Sequence, residues 1–263
     1  MNVIAKIAGY QLRDVIRSRW LFGYALFFLV VTDALLRFGG GGQKALLSLV
    51  NVVLFLIPLV TVVFSTVYLY HAREFIELLL AQPIRRHQLF AGLYLGLTAP
   101  LSLSFVAAVG IPFVMHHAAA TAQPGTLLAL LMTGVGLTFV FTALAFLIVS
   151  RSEDRLKGLG LAVSLWLVFA VVYDGLVLLF ASILSNHSIE RPLIALMLAN
   201  PIDLARVGLL LQFDVSALMG YTGAVLQKFF GSALGMLLTI GALMLWIVIP
   251  IISGLRAFQR KDF

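Results

Sequence analysis

Along the 263 residues, long apolar runs alternate with short polar connectors, and within each run the apolar residues are continuous rather than alternating. In hydrocarbon every backbone amide must bond inside its own segment, so continuous runs of roughly 20 residues predict spanning helices. Barrel strands would instead alternate apolar and polar residues over about 10 positions. Six spans are predicted, at 20–38, 47–70, 89–115, 126–150, 158–184 and 232–255. Pro58 lies inside the second, and Gly110 with Pro112 is expected to break the third.

The connectors carry their own patterns. In 1–19, Val3, Ile4, Ile7, Leu12, Val15 and Ile16 recur at helical spacing against Lys6, Arg13, Arg17 and Arg19. That arrangement suits a helix lying in the membrane interface. The first span is no signal peptide, since no small-residue cleavage site follows it. The run GGGGQK at 39–44 is read as a flexible turn. A phosphate loop needs Gly immediately before the Lys and Ser or Thr after it, and here Gln43 and Ala45 flank Lys44.

The densest charged stretch is HAREFIELLLAQPIRRHQLF at 71–90. Over 72–81 a short helix is predicted, with Arg73, Glu74 and Glu77 on one face and Phe75, Ile76, Leu78, Leu79 and Leu80 covering the rest. Arg73 and Glu77 form an i,i+4 pair. Pro83 forces Gln82 out of helical geometry, and Arg85 and Arg86 anchor the next span. An apolar face on such a connector needs a cover, either headgroups or the groove of a partner protein.

The longest connector, 185–230, holds too little continuous apolar sequence for another span. Asn200–Pro201 reads as a helix start with Asp203 in the first turn. Asp203 and Arg206 pair at i,i+3, and Leu204, Val207 and Leu211 line another face. One or two helices lying at the outer surface are expected, ending near Gly220 and Gly223. They either cap the bundle or receive an outer partner.

Composition agrees with the pattern: 62% of residues are hydrophobic, 11% are charged, and mean hydropathy is +1.07. A soluble domain carries roughly 25% charge. The fold class is therefore an all-α polytopic membrane protein, one domain over 1–263. Net charge is +7, and its placement favours topology over nucleic acid. Of the 18 Lys and Arg, only Arg37, Lys44, Arg191, Arg206 and Lys228 fall at one end, leaving thirteen at the end with both termini, 71–88 and 151–157. By the positive-inside rule that end, with both termini, is cytoplasmic. With no cysteine, thiolate ligands and nucleophiles are excluded.

Asp33 and Asp174 are the carboxylates inside spans, where such groups are candidate functional sites. Asp33 has Arg37 one turn on, which points to a local ion pair. Asp174 has no basic residue within a turn and must face the bundle interior, a dimer seam or a vestibule. The adjacent His116 and His117 would point about 100° apart on a helix and form no natural chelate, so no metal site is assigned.

Six spans, an N-terminal interfacial helix, a coupling helix between spans two and three and a long outer segment before span six resemble the permease subunits of ABC-2 type transporters. AREFIELLLAQPIRR (72–86), LANPIDLARV (198–207) and the tail FQRKDF resemble more specifically the permease of the nitrous oxide reductase maturation system. The resemblance implies a homodimer in the bacterial inner membrane, each copy bound to one cytoplasmic ATP-binding subunit (NosF-like). It also implies a periplasmic β-helical partner (NosD-like) and a role in assembling the copper–sulfur centres of nitrous oxide reductase. Arg73, Glu74, Phe75, Glu77, Arg85 and Arg86 would then face the ATPase, and Asn200, Pro201, Asp203 and Arg206 would lie at the outer face. This chain would bind no cofactor of its own, with ATP and Mg on the partner. The substrate stays open between a sulfur species, copper and none.

Two alternatives remain: an ABC-2 exporter permease for another substrate, and a secondary transporter without an ATPase. The latter needs interrupted helices in both halves, and the Gly110–Pro112 break has no counterpart. An intramembrane enzyme is disfavoured, because the chain has no H-E-x-x-H, no G-x-S-x-G and no paired glutamates inside spans.

Overall fold

The computed structural model describes residues 3–117, 124–183, 190–212 and 233–260. Residues 186–189 of the polar run, Gly220, Gly223, Lys228 and the end of the tail lie outside them. The described residues are helical, with no strand among them, and six helices are long and apolar enough to cross a membrane.

In chain order these helices are α1 (Val3–Ile16), α2 (Arg19–Phe38), α3 (Gly42–His71), α4 (Arg73–Leu80), α5 (Arg86–Met115) and α6 (Pro124–Arg151). They continue with α7 (Arg155–Leu167), a π-helical turn (Val168–Val172), α8 (Tyr173–Ile183), α9 (Glu190–Leu198), α10 (Pro201–Gln212) and α11 (Ala233–Arg260). α7, the π turn and α8 together make the fifth span. The expected break in the third span does not occur. α5 runs through Pro100 and Pro112 to Met115. Proline removes one intrahelical donor, and a membrane helix tolerates that loss when its neighbours enclose it; Pro100 and Pro112 are both buried.

α3, α5 and α6 form the centre, and α2, α7–α8 and α11 surround them with mostly exposed apolar faces. The core is aromatic in its middle. Phe28 and Phe105 meet edge to face at 5.3 Å, and Phe90, Phe146, Tyr94 and Phe139 chain α5 to α6. Edge-to-face contacts at such distances suit the ring quadrupoles.

α2 and α3 are joined by a tight glycine turn. Gly40 and Gly41 have φ of +79° and +115°, which side-chain-bearing residues rarely adopt. At the other end a single residue, Ala72, separates α3 from α4. The end of the bundle that holds α4 is called the α4 end below, and the one that holds the glycine turn the opposite end.

α1 has its apolar stripe against protein rather than against lipid alone. Ile7, Gln11 and Val15 are buried, and α1 packs on α5. The approach is close because α5 has glycine there. A Cβ at Gly92 would sit 2.8 Å from that of Ile7, and one at Gly96 would overlap Gln11. Tyr68 of α3 donates to the Asp14 carboxylate and fixes the other side of α1.

α10 does not lie on a surface. Ile202, Ala205 and Leu209 join the main core, while Leu204 and Val207 pack with α9 and with Ala242 and Leu243 of α11. Those α11 residues lie some 15 Å along the helix from its first described residue. The expected outer helices therefore include one that enters the bundle, because two of its faces are apolar rather than one.

Candidate functional site

Two regions carry the polar side chains: the α4 end, and the junction where α9 and α10 meet the fifth span.

At the α4 end, α4 starts within a residue of the predicted position and stops at Leu80, ahead of Pro83. Arg73 Nε lies 3.1 Å from Glu77 Oε1, as the i,i+4 spacing implied. The apolar residues of α4 divide into two sets. Ile76 is buried in the bundle, with Leu79 and Leu80 packed beside it, whereas Phe75 is 45% and Leu78 69% exposed. Glu74 and Glu77 are exposed on the same short helix. α4 thus presents acidic and apolar groups side by side while one edge holds it to the bundle.

Arg85 is exposed, but Arg86 turns inward. Its guanidinium donates to the carbonyls of Gln259 (2.7 Å) and Phe258 (3.3 Å), at the end of α11. Cations are favoured at helix C-termini, where carbonyls lack intrahelical donors. Arg86 is therefore tied to the end of α11, a partner its expected place beside Arg85 did not foresee. Nearby, Tyr70 donates to the Ser152 carbonyl at 3.0 Å, and Asp154 caps α7 by accepting from Leu156 N at 2.8 Å. The short charged loop after α6 is thereby tied to the end of α3.

The second region is built on the π turn. A π turn frees a carbonyl from the regular ladder, and such turns are frequent at functional sites. Here the Phe169 carbonyl accepts from Asn200 Nδ2 at 2.9 Å. The same amide donates to Asp203 Oδ2 at 2.9 Å, and its Oδ1 accepts from Ile202 N at 2.9 Å, which caps α10. Arg206 Nη1 then lies 2.9 Å from Asp174 Oδ2 and 3.0 Å from Asp203 Oδ1. One guanidinium thus serves two carboxylates, and the Asn200 amide supplies a further donor. Charges drawn out of water need such partners on every side.

Two more side chains stitch the junction. Tyr173 donates to the Leu196 carbonyl at 2.6 Å, and Trp246 of α11 donates to the Leu198 carbonyl at 3.2 Å, satisfying the last carbonyls of α9. Beside them a hollow of about 480 Å³ is lined by Phe27, Asn51, Phe55, Ala170, Ile202 and Arg206.

Several expectations change here. Asn200 and Asp203 are 0% and 4% exposed, and Pro201 is buried, so of the four residues expected at the outer face only Arg206 reaches a surface. Asp174 is not unpartnered, because Arg206 reaches it from 32 residues away. Asp33 pairs with Arg37 at 2.8 Å as its spacing implied, and also with His116 Nε2 at 2.7 Å, which joins α2 to α5. The Asp33–His116 and Asn200–Phe169 contacts have no signature in local spacing. The Asn–Pro step was the signal the sequence offered for the α9–α10 junction.

The described residues thus give six helices long and apolar enough to cross a membrane, with a short amphipathic helix between the second and third. Residues 5–263 match the family model described as ABC-2 family transporter protein, and the chain belongs to that family. Members are multi-pass permeases of the inner membrane, generally non-catalytic, that associate with an ATP-binding subunit. The chain is 30% identical over 236 residues to a protein of Pseudomonas aeruginosa named "Probable ABC transporter permease protein NosY", covering 84% of this chain and 86% of that one. It is 28% identical over 293 aligned positions to a protein of the same name from Stutzerimonas stutzeri, covering 99% of each.

Proposed function

We propose that this chain is the membrane half of an ATP-driven complex whose ATP-binding subunit grips α4. The observation that carries this is the exposed set on α4: Phe75 and Leu78 beside Glu74 and Glu77, with Arg85 close in sequence. An apolar anchor rimmed by charge suits a partner groove, and the ion pairs then set orientation. In this reading the α4 end and both termini are cytoplasmic, in line with the sequence pattern that assigns thirteen of the 18 Lys and Arg to that end. Two copies would form a homodimer with one ATPase on each, ATP and Mg being held by that partner. Given the names of its relatives and its resemblance to the maturation permease, the complex serves the assembly of the copper–sulfur centres of nitrous oxide reductase. It passes a substrate or a mechanical signal to a periplasmic NosD-like protein at the opposite end. Arg206 and its neighbours at the α9–α10 junction are the part of this chain that reacts to that contact.

The experiment is co-purification of the ATP-binding subunit with the double variant Glu74→Arg/Glu77→Arg and with Phe75→Ala. Both variants should insert and retain their melting temperature while losing the subunit. Undiminished co-purification with both would refute the docking role of α4. Since the chain lacks cysteine, single cysteines at Lys6 and Lys44 test orientation: an impermeant maleimide added outside should label only the second.

A further inference from the structure

Three hollows on one side of the bundle join end to end. The first is the one beside Arg206. The second, about 530 Å³, lies between α2 and α3, and the third, about 610 Å³, opens at the α4 end beside Asp14, Arg17, Tyr68 and His71. Phe27 and Leu56 line both the first and the second, and Trp20 and Val60 both the second and the third, so the walls are continuous. Along α3 the groove runs from Asn51 to His71. At 1.5 Å per residue that is about 30 Å, the thickness of a bilayer's hydrocarbon core.

The groove is apolar along its length and polar at its α4 mouth. Arg17, in the turn between α1 and α2, is exposed and has no hydrogen-bond or ion-pair partner among the described residues. Asp14, the carboxylate at the same mouth, is taken by the Tyr68 hydroxyl and does not meet Arg17. Trp20 and Tyr68 flank the mouth, as amphipathic rings do at headgroup level. The two hollows at this end cover α3 from Leu56 to His71, about 22 Å, or one leaflet with its headgroup layer.

We propose that this groove holds one anionic glycerophospholipid of the leaflet at the α4 end, its phosphate on Arg17 and an acyl chain laid along α3 past Trp20 towards Phe27. A guanidinium fork fits phosphate oxygens in pairs, which supplies headgroup preference, while the apolar wall supplies affinity for the chain. The inference does not rest on the ATPase reading and survives if that reading fails.

The test is native mass spectrometry of the full chain in detergent with dioleoyl phosphatidylglycerol, dioleoyl phosphatidylcholine or sn-glycerol 3-phosphate. One phosphatidylglycerol per chain should be retained, with about tenfold preference over phosphatidylcholine. Arg17→Gln should reduce that preference to about unity. Gly23 lines the groove, and a Cβ there meets nothing within 4 Å. Gly23→Leu should therefore fill the groove without strain, weakening both lipids alike while the melting temperature holds. An unchanged preference in Arg17→Gln, or full retention in Gly23→Leu, overturns the proposal. So does glycerol phosphate binding as tightly as the lipid, which would make this a free-phosphate site. A Val60→Cys variant that cross-links to its copy in the lipid-free protein would assign the groove to a dimer seam instead.

Discussion

Asn200 is the residue whose removal the structure treats most severely. It is fully buried, and its side-chain amide makes three hydrogen bonds: it caps α10, holds the freed Phe169 carbonyl of the π turn, and donates to Asp203. Asn200→Ala removes a cap, worth about 1 kcal/mol. It also leaves two buried acceptors short of a donor, at about 1–2 kcal/mol each. Asp203 keeps Arg206, and a water entering beside that guanidinium recovers part of the loss, so about 3 kcal/mol is expected. For a chain of this size that corresponds to a fall in Tm of roughly 6–12 °C. The check is fluorescence-detected size exclusion after heating in detergent at a fixed rate, because membrane proteins unfold irreversibly. Asn200→Asp decides the cause. Aspartate caps a helix as well as asparagine does. If capping alone matters, Asn200→Asp should melt like the parent. If the network matters, it should melt below Asn200→Ala, because it donates to neither acceptor and sets a second carboxylate against Asp203. Asn200→Asp melting with the parent would refute the reasoning.

At Gly96, valine would drive α1 off α5, since any Cβ there overlaps Gln11; trypsin should then cut at Arg13 and Arg17 several times faster than in the parent, with about 2 kcal/mol of stability lost. The two neighbouring arginines should separate: Arg86→Ala uncaps the last carbonyls of α11 and lowers stability by about 1–2 kcal/mol, whereas Arg85→Ala leaves Tm unchanged and weakens co-purification of the ATPase. Asp33→Asn should leave the melting temperature at the parent's value despite the residue's two partners, because the cluster at the opposite end is open to solvent; a clear drop in a melting scan would contradict this.

The spans were legible because a bilayer imposes one length and one polarity, and continuous apolar runs report both. α4 was legible because the Arg73–Glu77 pair and Pro83 act within a few residues of each other. What escaped depends on partners distant in sequence. Arg86 has the look of an interfacial anchor, and only the fold reveals that the end of α11 receives it. Asp174 looked unpaired because Arg206 lies beyond the reach of a helical period. α10 looked amphipathic because Asp203 and Arg206 mark a polar edge, yet Asp203 is buried and Arg206 reaches across to Asp174 of the fifth span. The Gly110–Pro112 step signalled a break that the surrounding helices suppress.

The single residue between α3 and α4 has a geometric consequence. α3 is 30 residues long, about 45 Å, and is pinned at its far end by the tight glycine turn. A sideways shift of about 5 Å at α4 then corresponds to a tilt of only about 6° for a rod of that length. Such a tilt needs no hydrogen bond within α3 to break. The sliding is taken up along the rod's whole flank and is greatest beside His71 and least beside Gly42, so the amplitude fades steadily across the bilayer. Motion imposed on one side would reach the other as a change of angle rather than of position.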